Sequence, residues 1–546
     1  MHAATDPPSP RLASGAIEKR WRRGRAPGGA AAPWPLVAIS VGVAALSVLP
    51  IVYLGIRATG VETDALTFVL RPRTLSFLGA TVVLAAIVGA GTALIGLPIA
   101  WLTTRTDLPG RRWWAVLTVV PLAIPSYVTA FAFVAAFGPR GALQSLLAPF
   151  GVGRLPEIYG LFGAALVLIL AGYPYVVLAV RAGLLREDRA IEDAARTLGD
   201  SRAAVFRRVT LPLLGPAVAA GTLLAVLYAL SDFGAVSLLQ FDSFSRAIYL
   251  QYRATFDRSL AAILALGLVA LTLVVTWGEA RLRRRARAWA GEAARRPVEP
   301  RALGRWRLPA LAFVTTVVGL ALVVPAGTIA FWLVRALGQG ETFRVGIAPM
   351  LGSLGTGVAA AGLATLVALP VALLLARYPG RVGSIVERAS YGAFALPGIV
   401  VALALVFLAT NALPFLYQTL ALLVAAYAVR FLVEAIGPVR ATLGRVGIRV
   451  EEAGRTLGDG PVRAFTRLTL PLVRPAVLSG AAIVFLSVVK ELPMALILGP
   501  IGFETLATEI WSATSEGFYA RAAGPAAVLL VLSAATVAVL MRDERR

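Results

Sequence analysis

Two stretches of the chain repeat one charged pattern inside an otherwise apolar sequence. The first begins at Glu192 and reads EDAARTLGDSRAAVFRRVTLPLLGPAV; the second begins at Glu451 and reads EEAGRTLGDGPVRAFTRLTLPLVRPAV. At a constant offset of 259 residues, 16 of 27 positions are identical. An ordinary polar loop has no reason to recur at fixed spacing, so we interpret both copies as functional. The candidate residues are Glu192, Asp193, Ala194, Ala195, Gly199, Leu211 and Pro212, then Glu451, Glu452, Ala453, Gly454, Gly458, Leu470 and Pro471.

Each copy has the residue pattern of two short helices ahead of an apolar span. In the first copy a helix is predicted from Ile191, and Gly199 ends it because glycine adopts positive φ at low cost. Asp200 or Ser201 can cap a second short helix. Pro212 then falls in the first turn of the next apolar segment, where proline is tolerated.

A second group of polar residues lies at the far end of each span that follows a motif copy. Ser231 and Asp232 align with Lys490 and Glu491 at the same offset of 259 residues. Ionisable groups at membrane depth usually face a cavity or a partner. These four residues are therefore a candidate translocation path, and a carboxylate-lined path suits a hard cation. The alternative is that Lys490 and Glu491 lie near the outer interface and extend their charged ends to it.

Most other chemistry lacks the residues that it needs. The chain has no cysteine and one histidine, His2, so thiol chemistry, zinc ligation and histidine acid–base catalysis have almost nothing to use. Its only lysines are Lys19 and Lys490, and neither ends a G-x-x-x-x-G-K-[ST] phosphate loop. We therefore predict that the chain is not an enzyme, has no ATPase site and binds no cofactor.

The composition indicates an integral membrane protein. The 546 residues are 58% hydrophobic and 15% charged, whereas soluble domains have about 45–50% apolar and about 25% charged residues. About twenty apolar residues cross a bilayer as a helix. An open strand in lipid would leave its backbone polar groups without hydrogen bonds. The chain is thus predicted to be all-α, with about twelve transmembrane helices. They lie near 35–56, 77–103, 113–138, 157–180, 213–240, 259–279, 308–334, 350–376, 389–410, 414–436, 472–499 and 521–541.

Six helices per half make this a parallel repeat, because an even number brings both halves in from the same side. Pro125 and Pro397 occupy matching stretches but are 272 residues apart, which places an insertion near 139–156 in the first half. The predicted organisation is a disordered basic tail over 1–34, a first half over 35–280, a basic linker over 281–307 and a second half over 308–546.

The net charge of +23 follows the membrane topology. Most basic residues fall in one set of alternate loops, the positive-inside pattern, which places both motif copies and both termini in the cytoplasm. We therefore expect no nucleic-acid partner. The apolar run at 35–56 exceeds the 7–15 residues of a signal-peptide core, so it is predicted to stay as an anchor. Basic residues in the first copy suit acidic groups of a partner or anionic membrane lipid equally well; they are Arg196, Arg202, Arg207 and Arg208.

Both motif copies resemble the E-A-A-x-x-x-G-x9-I-x-L-P loop of permeases in binding-protein-dependent ABC importers of the type I fold. Val209 and Leu468 fill its aliphatic position. Two departures stand out: Asp193 replaces the usual Glu, and Gly454 replaces the second Ala. The resemblance implies the type I permease fold, and it implies that each copy forms a coupling helix that docks in a groove of an ATPase subunit.

Further stretches resemble the fused two-half permeases of bacterial ferric iron importers. They are SDFGAVSLL, KELPMALIL, residues 503–534 and residues 241–265. This resemblance implies iron transport across the bacterial inner membrane, two ATPase subunits that hold ATP and Mg, and a periplasmic or lipid-tethered binding protein. Thiamine, sulfate, polyamine and phosphonate permeases are close relatives and stay open as alternatives. A secondary transporter that uses Asp232 and Glu491 as ion sites is the other class, but it does not account for the duplicated loop.

Overall fold

The computed structural model describes residues 32–59, 67, 70–138, 141–152, 155–186, 189–254, 259–289, 300–338 and 346–543. In these ranges the regular secondary structure is helical, and the only strand-like feature is an isolated bridge between Thr106 and Arg301. Most of the predicted tail, 1–31, and part of the predicted linker, 290–299, lie outside the described residues.

The helices of the first half are numbered in chain order. They are α1 Trp34–Thr59, α2 Pro72–Arg105, α3 Arg111–Leu117, α4 Ser126–Phe137, α5 Ala142–Leu147, α6 Leu161–Arg186, α7 Arg189–Thr197, α8 Arg202–Val205, α9 Leu211–Ser231, α10 Gly234–Leu238, α11 Phe244–Ala254 and α12 Ser259–Trp289. The predicted insertion therefore contains α5. Helix α12 runs into the range predicted as linker.

The helices of the second half follow the same order. They are α13 Arg307–Val318, α14 Val324–Gly338, α15 Ile347–Arg377, α16 Arg381–Phe394, α17 Gly398–Ala412, α18 Leu420–Arg430, α19 Leu432–Val446, α20 Arg449–Thr456, α21 Pro461–Ala464, α22 Leu470–Val489, α23 Pro493–Leu498, α24 Leu506–Ser515 and α25 Tyr519–Asp543. Each half thus has a long helix after its motif copy, α9 and α22.

The expected number of membrane spans agrees with the structure. Nine helices in the described ranges are long and apolar enough to cross a membrane, and three bent helix pairs raise the number to twelve if each pair is one span. The predicted spans at 113–138, 389–410 and 414–436 are these pairs, bent by 94°, 103° and 45°. The first two bends fall at Pro125 and Pro397, because proline lacks the N–H of a helix interior and disfavours helical backbone in the residue before it.

Two other spans end earlier than the sequence indicated. The spans predicted over 213–240 and 472–499 stop at Ser231 and Val489, and the short helices α10 and α23 follow. In both halves the break falls at the polar pair of the candidate path. The apolar residues beyond each break therefore do not continue the span.

Three helices form the centre of each half. Helices α2, α6 and α9 pack together in the first half, and α15, α19 and α22 in the second. The contact between α9 and α6 is close at Gly221, where a β-carbon would lie 2.6 Å from the Val176 Cα. Gly480, at the matching position, would bring a β-carbon within 3.1 Å of the Ala435 Cα. Small residues allow this close packing where lipid provides no hydrophobic drive between helices.

The first span of each half packs against the other half. Helix α1 lies against α16 and α17 of the second half, and α14 lies against α4 of the first. The Trp332 indole N–H donates to the Ala135 carbonyl at 3.1 Å. The Arg57 guanidinium lies 5.6 Å from the centre of the Phe407 ring. The first span of each half therefore packs against the other half as well as against its own, where α1 contacts α12 and α14 contacts α25.

We expect Gly221→Ala to destabilise the protein, because the new methyl group meets backbone atoms of α6 that cannot rotate away. Overpacking of this kind costs about 1–3 kcal/mol. Gly215→Ala in the same helix is the control, because a β-carbon there would meet open space. Thermal denaturation in detergent, followed by size-exclusion chromatography, should show a lower midpoint for Gly221→Ala alone. Equal midpoints would contradict the close packing of α9 on α6.

Candidate functional site

Both motif copies form a helix, a tight turn and a second short helix. We call residues 189–210 the first polar loop and residues 449–469 the second polar loop. Their turns are at Gly199 and Gly458, with φ of 95° and 96°, a conformation that strongly favours glycine. In the first loop the Ser201 hydroxyl accepts the Ala204 N–H at 3.3 Å and caps α8, as its sequence predicts.

Each polar loop runs without interruption into the span that follows. A five-residue π-helical segment, Phe206–Thr210 or Phe465–Thr469, joins the second short helix to α9 or α22. Leu211-Pro212 and Leu470-Pro471 follow these segments directly, at the start of α9 and α22. The continuous helix over Ala203–Ser231 has 29 residues, or about 44 Å at the usual rise.

In the first polar loop, the side chain of Glu192 points back into the protein. It is 1% exposed and accepts a hydrogen bond from the Thr210 hydroxyl at 3.0 Å. Its other oxygen pairs with the Arg301 guanidinium. Because a buried carboxylate needs a cation and hydrogen-bond donors, these contacts fix α7 to the base of α9.

The second polar loop has the same attachment with a different cation. The Thr469 hydroxyl donates to Glu451 Oε1 at 3.0 Å. Arg377, at the end of α15, donates to the same oxygen at 3.1 Å and to the Gly447 carbonyl at 2.9 Å. Thr210 and Thr469 were not among the predicted site residues, although both lie at identical positions of the repeat.

Most of the remaining motif residues face outward. Asp193, Ala194, Glu452 and Ala453 are exposed, and both turn glycines are exposed as well. Leu198 and its counterpart Leu457, which precede the turns, are each 88% exposed. The two loops therefore present acidic, small and apolar side chains to whatever lies beyond them. Arg208 pairs with Asp200 of its own loop at 3.4 Å.

The departure at Gly454 has a packing reason. Gly454 is buried, and a β-carbon there would lie 2.5 Å from Leu468 Cδ1. In the first loop the corresponding pair is Ala195 and Val209. The larger Leu468 thus requires the smaller residue opposite it, and the total side-chain volume is kept.

A second set of polar residues lies at the breaks after α9 and α22. We call it the central cluster, and it consists of Ser126, Asp232, Arg430, Glu434, Lys490 and Glu491. Asp232 is 8% exposed and accepts the backbone N–H groups of Ala235 at 2.9 Å and Val236 at 3.3 Å. Its other oxygen accepts the hydroxyl of Ser126, the first residue of α4. Ser231 is the half-buried last residue of α9. Asp232 therefore joins the break after α9 to the bend before α4.

In the second half, Glu491 meets the matching bend in a different way. Gly398 is the first residue of α17, at the position that corresponds to Ser126. A β-carbon at Gly398 would lie 2.3 Å from Glu491 Oε1 and 3.5 Å from Arg430 Cζ. The missing side chain makes room for the carboxylate. Arg430 also donates to the Leu396 carbonyl, just before the bend.

Lys490 links the two halves. Its ammonium donates to the Leu122 carbonyl at 3.2 Å, in the bend before α4 of the first half. Glu434 of α19 lies near both Lys490 and Arg430. The second half thus contributes two acids and two bases to the cluster. Arg430 and Glu434 were missed from the sequence, because neither falls in the repeated stretches.

The central cluster lies where the halves meet. A β-carbon on Gly234 of the first half would lie 3.2 Å from Leu492 Cδ2 of the second. The rings of Phe233 and Trp511, also from opposite halves, have centres 5.1 Å apart. Across the part of the chain that the structure describes, no three His, Cys, Asp or Glu side chains come together as a metal site.

This architecture of paired halves, each with a polar loop leading into a long central helix, is that of a known family. Residues 93–288 and 368–543 each match the family described as binding-protein-dependent transport system inner membrane component. The matches cover more than half of the chain, and the chain belongs to this family of ABC importer permeases. It is a multi-pass membrane protein with two copies of the type I permease domain.

Individual relatives narrow the comparison. The chain is 31% identical over 490 residues to the Fe(3+)-transport system permease protein FbpB 2 of Haemophilus influenzae, an alignment that covers 89% of this chain and 93% of that one. It is 30% identical over 208 residues to the sulfate transport system permease protein CysT of Salmonella typhimurium, with 37% and 74% covered. It is 35% identical over 141 residues to the molybdenum transport system permease protein ModB of Escherichia coli K12, with 26% and 60% covered.

We expect Gly398→Ala to destabilise the protein, since its methyl group would collide with the Glu491 carboxylate. The cost should be about 1–3 kcal/mol, and Glu491→Ala in the same chain should recover part of it because it removes the colliding group. A double-mutant cycle on thermal stability measures this coupling. Gly392→Ala is the control, since its added β-carbon has open space. Additive effects of the two changes would refute the contact.

Proposed function

We propose that this permease carries ferric iron and couples its passage to ATP hydrolysis by two separate ATPase subunits. The proposal of ferric iron as the substrate rests on the similarity to the ferric permease FbpB 2, which extends over both halves of each chain. The sulfate and molybdenum permeases align with much shorter parts of the chain. Arg430 and Lys490 offset two of the three acids of the central cluster, so its charge does not by itself select a cation.

The polar loops are the proposed coupling helices. Their exposed leucines, Leu198 and Leu457, and the small residues beside them would enter a groove on each ATPase, while Asp193 and Glu452 would meet polar groups at its rim. We assign ATP and Mg to those partners, and no cofactor to this chain. This assignment places both loops and both termini in the cytoplasm, with a periplasmic or lipid-tethered binding protein at the opposite face.

The central cluster is the proposed gate. Helices α9 and α22 have 21 and 20 residues, so each spans about 30 Å from a polar loop to the cluster. A force on a loop reaches the base of its span through the Glu–Thr hydrogen bond and then the break at Asp232 or Glu491. Separation of the halves would break the Lys490–Leu122 hydrogen bond and open the path.

Coupling is tested by replacing the turn glycine. We expect Gly458→Ala to weaken assembly with the ATPase that co-purifies with the wild-type chain, since a left-handed conformation costs a non-glycine residue about 1–2 kcal/mol. Gly460→Ala is the control, because its φ of −64° suits alanine and its surroundings are open. Co-elution in size-exclusion chromatography is the measurement. Wild-type assembly by Gly458→Ala, or uptake driven by an ion gradient without any ATPase, would contradict the coupling proposal.

The substrate is tested with the binding protein that stimulates ATP hydrolysis by the complex in proteoliposomes. We expect that protein to bind Fe(III), and uptake of radioactive Fe(III) to require both the binding protein and ATP. Sulfate, molybdate, thiamine, a polyamine and a phosphonate are the competing ligands. Stimulation by a binding protein that holds one of these, with no iron uptake, would contradict iron as the substrate. The coupling proposal would be unaffected.

A further inference from the structure

The segment that leads from the first half to the second is attached to the first polar loop. We call residues 300–306 the strap. The Arg301 N–H donates to the Arg105 carbonyl at 2.8 Å, and the Arg301 carbonyl accepts the Asp107 N–H at 3.0 Å. The Leu303 N–H donates to Asp107 Oδ1 at 2.8 Å. The strap is therefore bonded along its backbone to the turn that follows α2.

The side chain of Arg301 continues from the strap to the polar loop. Its guanidinium pairs with the buried carboxylate of Glu192 and lies 5.5 Å from the centre of the Trp101 ring. Trp101 in turn meets Phe206 edge to face, with ring centres 5.1 Å apart. One arginine thus contacts the loop helix directly and is connected through Trp101 to the π-helical segment at the base of α9.

The second polar loop depends on its own half for the same contact. There the cation is Arg377, the last residue of α15. Arg105 occupies the corresponding position in the first half, at the end of α2, but donates to the Leu184 carbonyl at 3.0 Å. The strap supplies the missing cation and runs directly into α13, which begins at Arg307. The position of the first loop is therefore linked to the start of the second half.

We propose that Arg301 is a positioning residue for coupling, and that it makes the first polar loop respond to movement of the second half. Its role in transport rests on the proposed coupling function; its hold on the loop does not. Without Arg301, Glu192 would remain buried with Thr210 alone, and an unpaired buried carboxylate is strongly unfavourable. Helix α7, which bears Glu192, would separate from the base of α9 so that water could reach the carboxylate. The second loop, held by Arg377, would stay in place.

The absence of cysteine allows a direct test on the whole chain in lipid nanodiscs, with no ATPase present. A nitroxide label on Leu198→Cys reports the first loop, and one on Leu457→Cys reports the second; both positions are 88% exposed, so the label has room. We expect Arg301→Ala to increase the mobile fraction of the Leu198→Cys spectrum several-fold and to leave the Leu457→Cys spectrum unchanged. Arg377→Ala should do the reverse.

Two further variants distinguish positioning from general damage. Arg305→Ala removes an exposed arginine of the same strap, which lies 6.0 Å from the Trp306 ring centre, and should change neither spectrum. Arg301→Lys keeps a cation within reach of Glu192 and should restore part of the lost order. An unchanged Leu198→Cys spectrum in Arg301→Ala, or equal mobility at both labels, would overturn the proposal.

The assembled transporter gives the second readout. Arg301→Ala should lower the amount of substrate carried per ATP hydrolysed, with ATPase activity kept, because α7 is no longer fixed to the base of α9. A proportionate fall in transport and hydrolysis would overturn the coupling role of Arg301. The spectra recorded without ATPase test the contact between Arg301 and the first polar loop independently. A wrong assignment of the ATPase partner can therefore be told apart from a wrong role for Arg301.

Discussion

A carboxylate held by a threonine and an arginine at the base of each polar loop is the contact on which the rest of the arrangement depends. Glu192 is buried and the Glu451 side chain is 19% exposed, so each must keep a threonine hydroxyl and an arginine in place. That requirement fastens a short surface helix to a long membrane helix. The same long helix ends at Ser231 or at Val489, between the halves. Each polar loop and the polar residues between the halves thus lie at the two ends of one continuous helical run.

The repeat preserves backbone positions more strictly than chemistry. At the bend before α4 of the first half Ser126 donates to a carboxylate, whereas at the bend before α17 of the second half Gly398 makes room for one. At the polar loops, Ala195 with Val209 becomes Gly454 with Leu468. The exchange at the polar loops keeps the side-chain volume, and the exchange at the bends changes which groups the side chains can bind. The second half carries the paired charges Arg430, Glu434, Lys490 and Glu491, so the two sides of the centre are unequal although their folds match.

The twelve apolar segments could be predicted from the sequence because lipid imposes a minimum helix length. Both polar loops could be predicted because the repeated stretch shows where each loop begins and ends. The sequence did not predict the sharp bends. Pro125 and Pro397 end helices, yet Pro98, Pro174 and Pro370 lie inside uninterrupted ones, so proline alone does not decide. Nor did it predict the partners of the buried acids. Arg301 and Arg377 lie far from Glu192 and Glu451 along the chain, and only the packed fold brings them together.

The packing of α1 on the second half imposes an order on synthesis. Helix α1 contacts α12 of its own half, but the surfaces of α16 and α17 that it also packs against are made only after the entire first half. Until then the faces of α1 that meet α16 and α17 must remain against lipid. Arg57 is the one charged residue of α1, and it contacts Phe407 only in the folded protein. Before then its guanidinium must lie near the lipid headgroups. Because both halves belong to one polypeptide, α16 and α17 are inserted into the membrane close to α1. The two halves are also made in equal number, and α1 need not associate with a separate chain.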